Sequence, residues 1–237
     1  MATLAIDGAT TSVARTVPVG PESWTDIQAG AGVSTFGGAV GFECATAASP
    51  NKWASLIRTI FVFDTSALVG LTILSATIDI TLGDWQDPLV DTPGYNIYGA
   101  TPADPESVLV SDYGNCGSVA FSSALTAYSA THSFQLNALG IANINRDGFS
   151  SFSCRESKYD VGSDTPAWQA DAWTYIEFGA PAVVLTVIAS LRPLDPTIAK
   201  TKPSLELIRN LEMQCDGLSY VTKAGLFKYE SRYARHG

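Results

Sequence analysis

The stretch Leu56–Trp85, LIRTIFVFDTSALVGLTILSATIDITLGDW, decides the fold. From Leu74 to Leu82 the alternation is strict: Leu74, Ala76, Ile78, Ile80 and Leu82 fall on one face, and Ser75, Thr77, Asp79 and Thr81 on the other. Period two of this kind marks a strand with one buried and one wet face. Ile60–Phe63 is apolar at every position, as a central strand covered on both sides requires. Two long strands joined by a short turn therefore form the expected centre of the chain.

Outward from that pair, short apolar stretches alternate with turn residues. Strands are expected at Thr11–Val19, Val40–Thr46, Tyr95–Ala100, Ser118–Ser122, Thr131–Asn137, Phe149–Glu156, Trp173–Phe178 and Ala182–Ala189. One helical turn is expected at Trp24–Ala29, and a short helix at Ala138–Arg146, stopped by Asp147-Gly148. Gly30–Gly41 reads as loop or edge, and Ser157–Asp171 as a polar loop. About nine short strands at regular spacing predict an all-β chain, an antiparallel jelly-roll β-sandwich over residues 1–194.

Residues 195–237 read differently, as a C-terminal extension. Pro193 and Pro196 mark the boundary, and Ser204 can cap a helix running to about Cys215, with Leu205, Ile208 and Leu211 on one stripe. Gly217 suits the C-cap of that helix. A small hairpin follows over Leu218–Tyr229 around Ala224-Gly225, and the chain ends on the basic segment Ser231–Gly237.

Charge follows the same division. Residues 1–195 hold 7 Lys and Arg against 19 Asp and Glu, a balance of −12; residues 196–237 hold 7 against 4, a balance of +3. The acidic body argues against nucleic acid as a partner, because phosphate contacts need Lys and Arg in number. The N-terminal MATLAIDGATTSVARTV lacks a basic start and apolar run, and the longest apolar run, Ala180–Leu191, is far short of the ~20 residues that span a bilayer. No membrane partner is expected, and assembly in a cytosol is. Cys44, Cys116, Cys154 and Cys215 are widely spaced without a CxxC pair, and read as reduced, mostly buried thiols rather than zinc ligands.

Chemistry-bearing motifs are sparse. The two histidines are His132, at a strand start, and His236, in the tail; there is no GxSxG elbow and no Gly-rich phosphate loop after a strand. An enzyme, a cofactor and a metal are therefore not expected. Asp64 reads as the cap of its turn through the Thr65 and Ser66 amides. Arg58, in an otherwise apolar strand, is expected to pair with a carboxylate such as Asp64 or Glu156.

RTIFVFDTSAL followed by ILSATIDITL resembles the DNRLRE-type jelly-roll family, which is related to carbohydrate-binding modules. Arg58, Phe63 and Asp64 match the family's first strand, and Ile73, Ser75 and Ala76 its second. LVSDYGNCGSVAF, LNALGIANINRDGFSSFSCRESKYD and the closing AVVLTVIA resemble the versions found in tailed-phage structural proteins. There a GIAAINKTG-like helix precedes an F-x-x-R strand, matched here by Gly140–Asn145, Phe152 and Arg155. The resemblance covers roughly residues 11–190; the loop 157–172 and Pro181-Ala182-Val183 depart from the pattern, and the tail from Pro193 has no counterpart.

The resemblance implies a non-enzymatic module used in phage virion parts or attached to surface proteins, and the expected function is that of a bacteriophage virion structural protein: a capsid decoration, head-fibre or tail component. Its expected partners are other virion proteins and further copies of itself as a homo-oligomer, bound through Leu205, Ile208, Leu211, Phe227, Tyr229, Arg232 and Arg235. Burying Leu205, Ile208 and Leu211 contributes roughly 5–9 kcal/mol, against association costs of about 4–15 kcal/mol. One tail would hold weakly, and a multivalent array firmly; the competing reading is that residues 195–237 complete the body's own core. The alternative is a carbohydrate-binding adhesin that takes host surface glycans on Trp168, the tryptophan that stands free in the polar loop TPAWQAD, whereas Trp85 and Trp173 stand at strand ends, where aromatics seal a sandwich.

Overall fold

The computed structural model describes residues 1–37, 40–89, 94–125, 128–191, 217–221 and 227–231. The chain divides into two compact units, Met1–Ser190 and Leu191–Gly237. The first is an all-β antiparallel sandwich of jelly-roll type. Its strands are β1 (Ala2–Thr16), β2 (Ser34–Gly37), β3 (Val40–Thr46), β4 (Trp53–Asp64), β5 (Leu71–Gln86), β6 (Tyr95–Ala100), β7 (Cys116–Ala120), β8 (Thr131–Gln135), β9 (Phe149–Glu156) and β10 (Trp173–Leu191). Helix α1 (Trp24–Ala29) precedes β2, and α2 (Ala138–Ala142) lies between β8 and β9.

β4 is the hub, as its unbroken apolar run requires. One edge pairs with β1 along Ser55–Phe63. The other edge is shared: Trp53–Arg58 pairs with β3, and Thr59–Asp64 with β9. The sheet forks at Arg58/Thr59. One arm runs β9–β6–β7, and the other runs β3–β10, with β5 pairing β10 and β8 pairing β5. The arms face each other across the core, where the Phe42 ring of β3 meets Tyr95 of β6 at 5.5 Å. On β4, Phe61 meets Phe178 of β10 at 5.6 Å.

Two long strands change partner midway. β1 pairs with β10 over Ala2–Asp7 and with β4 from Gly8 onward. Gly8 sits at that change: a Cβ there would stand 2.5 Å from the Phe63 ring and 2.7 Å from Val183 Cγ1, so only glycine lets the backbone pass. β10 pairs with β3 over Trp173–Glu177, shifts register at Ile176/Glu177, and continues to β1. Pairs β1–β4, β4–β3, β3–β10 and β10–β1 thus close a hydrogen-bonded circuit, which protects long edges from pairing with other chains.

Several expected bounds are corrected. β1 starts at Ala2, not Thr11, and β10 is one strand where two were expected. Both differences come from partner exchange, which lets a strand run on after one neighbour ends. α2 stops at Ala142; the Asn137 side chain caps it by accepting from the Leu139 and Gly140 amides, each at 3.0 Å. In β5 the buried face is Ala76, Ile78, Ile80 and Leu82, whereas Leu74 is 44% exposed. Leu74 stands near the start of β5, outside the stretch Thr77–Thr81 that pairs with β8.

In the second unit, β11 (Gly217–Val221) and β12 (Phe227–Ser231) pair antiparallel. Gly217 opens β11 opposite Ser231 and so belongs to a strand as well as to the expected helix end. The expected helix 204–215 lies outside the described residues.

Candidate functional site

The only buried ion-pair cluster among the described residues is built on Asp160, in the loop after β9, with Arg58 of β4 and Arg155 of β9. Asp160 is 3% exposed, Arg58 4% and Arg155 6%. Arg58 Nε donates to both Asp160 carboxylate oxygens at 3.1 Å, and its Nη2 to Oδ1 at 2.6 Å. Arg155 Nε donates to Oδ2 at 2.7 Å and its Nη2 to Oδ1 at 3.1 Å. The remaining guanidinium donors go to backbone carbonyls: Arg58 to Tyr113 and Gln28, Arg155 to Cys116, Gly117 and Asp160. Tyr113, whose ring lies 4.1 Å from Arg58 Cζ, donates its hydroxyl to the Ile27 carbonyl at 2.8 Å.

Burial alone would push the Asp160 carboxyl up, but the two guanidiniums outweigh it and hold the group below the ordinary carboxylate range. Burial likewise opposes the Arg58 charge and is outweighed by Asp160. Glu156, beside them, is pushed up, mainly by burial. With both acids ionised the four groups are neutral in sum. Asp160 is held as a carboxylate with guanidiniums on both oxygens, which favours its ionised form. What the cluster does is nail the loop 157–162, α1 and the turn at 110–115 onto β4.

This corrects the expected partners of Arg58. Asp64 lies six residues along the same strand, about 20 Å away at strand rise. It is exposed and caps its turn by accepting from the Ser66 amide at 3.1 Å, whereas the Thr65 amide, expected to share that cap, donates to the Gly148 carbonyl at 2.9 Å. Glu156 spends its Oε2 on the Tyr159 amide. Arg155 carried a signal as the Arg of the F-x-x-R stretch, Phe152 to Arg155; Asp160 carried no local signal beyond standing five residues after it.

Other reactive side chains are accounted for in the same way. His132 Nε2 accepts from the Ser129 amide at 2.8 Å, and partial burial lowers its pKa. Its neighbour Ser133 bonds Asp79 instead, as does Thr186 at 3.1 Å. Adjacent strand residues face opposite ways, so His132 and Ser133 make no catalytic pair. Cys44, Cys116 and Cys154 are free and buried, with burial pushing Cys116 up to about 11 and Cys154 to about 12, so none is a ready nucleophile. Among the described residues no group of three His, Cys, Asp or Glu side chains could hold a metal ion. Cys215 and His236 lie outside them.

The tryptophans reverse their expected places. Trp168, read as the free platform, packs against the core and buries its Nε1 without a hydrogen-bond partner. Trp173 and Trp85, read as seals of the sandwich, are 49% and 41% exposed. The alternation in WTYIEF holds the signal: Thr174, Ile176 and Phe178 are buried, which sends Trp173, Tyr175 and Glu177 outward. Trp85 stacks on Tyr128 at 5.2 Å with 19° between the rings. Tyr175 donates its hydroxyl to Asp84 at 2.9 Å and so ties β10 to the end of β5.

The sandwich surface also carries grooves. The largest described, about 570 Å³, runs between β6–β7 and α2, with Phe121 in its lining and the exposed Val119 and Leu139 beside it. A second, about 340 Å³, has Val62, Val108 and Phe149 among Asp7, Asp64 and Glu106. A third, about 330 Å³, lies between β8 and residues 123–125.

Of the expected partner-binding residues, Leu205, Ile208, Leu211, Arg232 and Arg235 lie outside the described residues. Phe227 and Tyr229 stand in β12, opposite Val221 and Ser219. No helix among the described residues is long and apolar enough to cross a membrane. Compared with known proteins, the chain matches no family model and no curated protein.

Proposed function

We propose that this chain is a non-enzymatic structural protein of a bacteriophage particle, a capsid decoration, head-fibre or tail component that assembles through its C-terminal extension. The carrying observation is the division of the chain into two compact units, Met1–Ser190 and Leu191–Gly237, the second of which holds the two-stranded pair β11–β12. A two-stranded hairpin is marginal by itself in water. Docking on a partner would stabilise that pair, and the basic balance of residues 196–237 suits an acidic partner. The resemblance of residues 11–190 to tailed-phage jelly rolls supports the setting. The use of Arg58, Arg155 and Asp160 in holding loops supports the reading that the body is a rigid display element. Truncation after Asp195 tests it: the shortened chain keeps its β-sheet signal but no longer enters particles or oligomers, whereas a chain that unfolds removes the proposed mechanism.

A second reading, a carbohydrate-binding adhesin, is favoured by one observation, the exposure of Trp85 and Trp173. Flat exposed rings suit the apolar faces of sugars. A panel of bacterial surface polysaccharides tested with Trp85→Ala and Trp173→Ala separates the readings. No binding by the parent chain removes the glycan reading and leaves the structural one intact.

A further inference from the structure

The groove of about 340 Å³ lies on the face of β4 opposite to the core residues Phe61 and Phe63. Its floor is apolar, made by Val62, Val108 and Phe149, and its rim carries three exposed carboxylates, Asp7, Asp64 and Glu106. The partner exchange of β1 brings two of the acids together. Gly8 opposite Phe63 is the last pair of β1 with β4, so Asp7 and Asp64 take the next position on either strand. Like charges so placed repel each other. No ion pair among the described residues uses Asp7, Asp64 or Glu106, because Arg15 is spent on Glu22, and Arg58 and Arg155 on Asp160.

The shape of the groove selects the kind of cation that fits. The three carboxylates do not converge on a point where one metal ion could touch them all. A flat guanidinium with apolar bulk beside it matches both the rim and the floor. The chain carries that chemistry directly after β12, where residues 232–237 read RYARHG. In an extended chain Tyr233 and Arg235 leave the same side, about 6–7 Å apart. The charges are also opposite in balance, −12 over residues 1–195 and +3 over residues 196–237.

We propose that residues 232–237 of one copy dock in the Asp7–Asp64–Glu106 groove of a second copy, with Tyr233 on Val62 and Phe149 and Arg235 between Asp7 and Asp64. This rests on the reading that the C-terminal extension is the assembly element, and it names the surface that the extension takes. Segment and groove are different patches, so the contact repeats from copy to copy and builds a ring or a filament. Exposed ion pairs are individually weak and screened by salt, and the repeat supplies the firmness.

Sedimentation velocity of the full chain tests this. Asp7→Arg and Glu106→Arg each reverse one rim charge and leave Asp64, which caps its own turn, untouched; Arg235→Asp reverses the segment. The parent is expected to associate, less so as salt rises from about 0.05 M to about 0.5 M. Each variant should weaken association about tenfold or more, with unchanged β-sheet circular dichroism. An equimolar mixture of Asp7→Arg and Arg235→Asp should recover a 1:1 dimer, because one intact segment then meets one intact groove. Rim variants that associate like the parent overturn the proposal; if Arg235→Asp alone dissociates, the extension remains the assembly element and takes another surface. A mixture that stays monomeric also overturns it, since the segment then bridges no copies. A parent that is monomeric throughout overturns both the proposal and the reading of the chain as a homo-oligomer.

Discussion

The Asp160 carboxylate receives Arg58 on both of its oxygens, although 102 residues separate the two in sequence. That relationship joins the strand at the hub of the sheet to a loop that follows β9, and it fixes the shape of one end of the sandwich. Replacing Asp160 with Asn keeps the size of the side chain but leaves two buried guanidiniums without their counter-charge. Breaking a buried pair in this way costs about 3–5 kcal/mol. Urea unfolding of Asp160→Asn should show a lower midpoint with a similar slope.

The same carboxylate sets part of the acid sensitivity. Its folded pKa lies below the unfolded value, so its contribution is present above the unfolded pKa of about 4 and is lost as pH falls through the folded value. Glu156 and Glu43 are raised by burial, so their contributions have the opposite sign: present below the unfolded value and lost as pH rises through the folded one. Stability measured from pH 7 down to pH 2 should therefore fall most steeply below about pH 4. In Asp160→Asn that acid limb should flatten; an unchanged limb would mean that other carboxylates control it.

Gly8→Ala tests the partner exchange in β1. The added methyl would meet Phe63 and Val183 at well under van der Waals distance. Overpacking of this sort costs about 1–3 kcal/mol. The loss should appear as a fall in thermal midpoint, while Gly37→Ala, where nothing lies within 4 Å, should leave it nearly unchanged.

The tryptophans separate packing from surface. Trp168→Ala should lower stability by about 1–3 kcal/mol, because its ring packs against the core. Trp173→Ala, at a half-exposed ring, should stay within about 0.5 kcal/mol of the parent. Chemical denaturation of the two variants side by side gives the answer.

The hub of the fold was legible because β4 and β5 carry their environment in their own pattern: unbroken apolar residues in one, alternation in the other. The reach of β1 and β10 was not. Ala2–Asp7 precedes the strand expected from Thr11, and residues 179–181 stand between the two strands expected at Trp173–Phe178 and Ala182–Ala189; both segments are strands because a second partner takes over where the first ends. Local pattern carries no record of such an exchange. The turn-capping role of Asp64 was visible because its partner is two residues away. The pairing of Arg58 with Asp160 was not, since nothing local links a charge in a strand to one carboxylate among many in distant loops. Trp173 stands at a strand end, where aromatics often seal a sandwich, but the alternation of WTYIEF already points it outward.

The central claim, that the C-terminal extension holds copies of this chain or its neighbours together, is tested most directly by sedimentation velocity. The full chain is compared with a variant carrying Asp at Leu205, Ile208 and Leu211. The account predicts an oligomer for the parent and a monomer for the variant, with the same β-sheet circular dichroism in both. Equal masses for the two chains, or loss of the β-sheet signal in the variant, would contradict it.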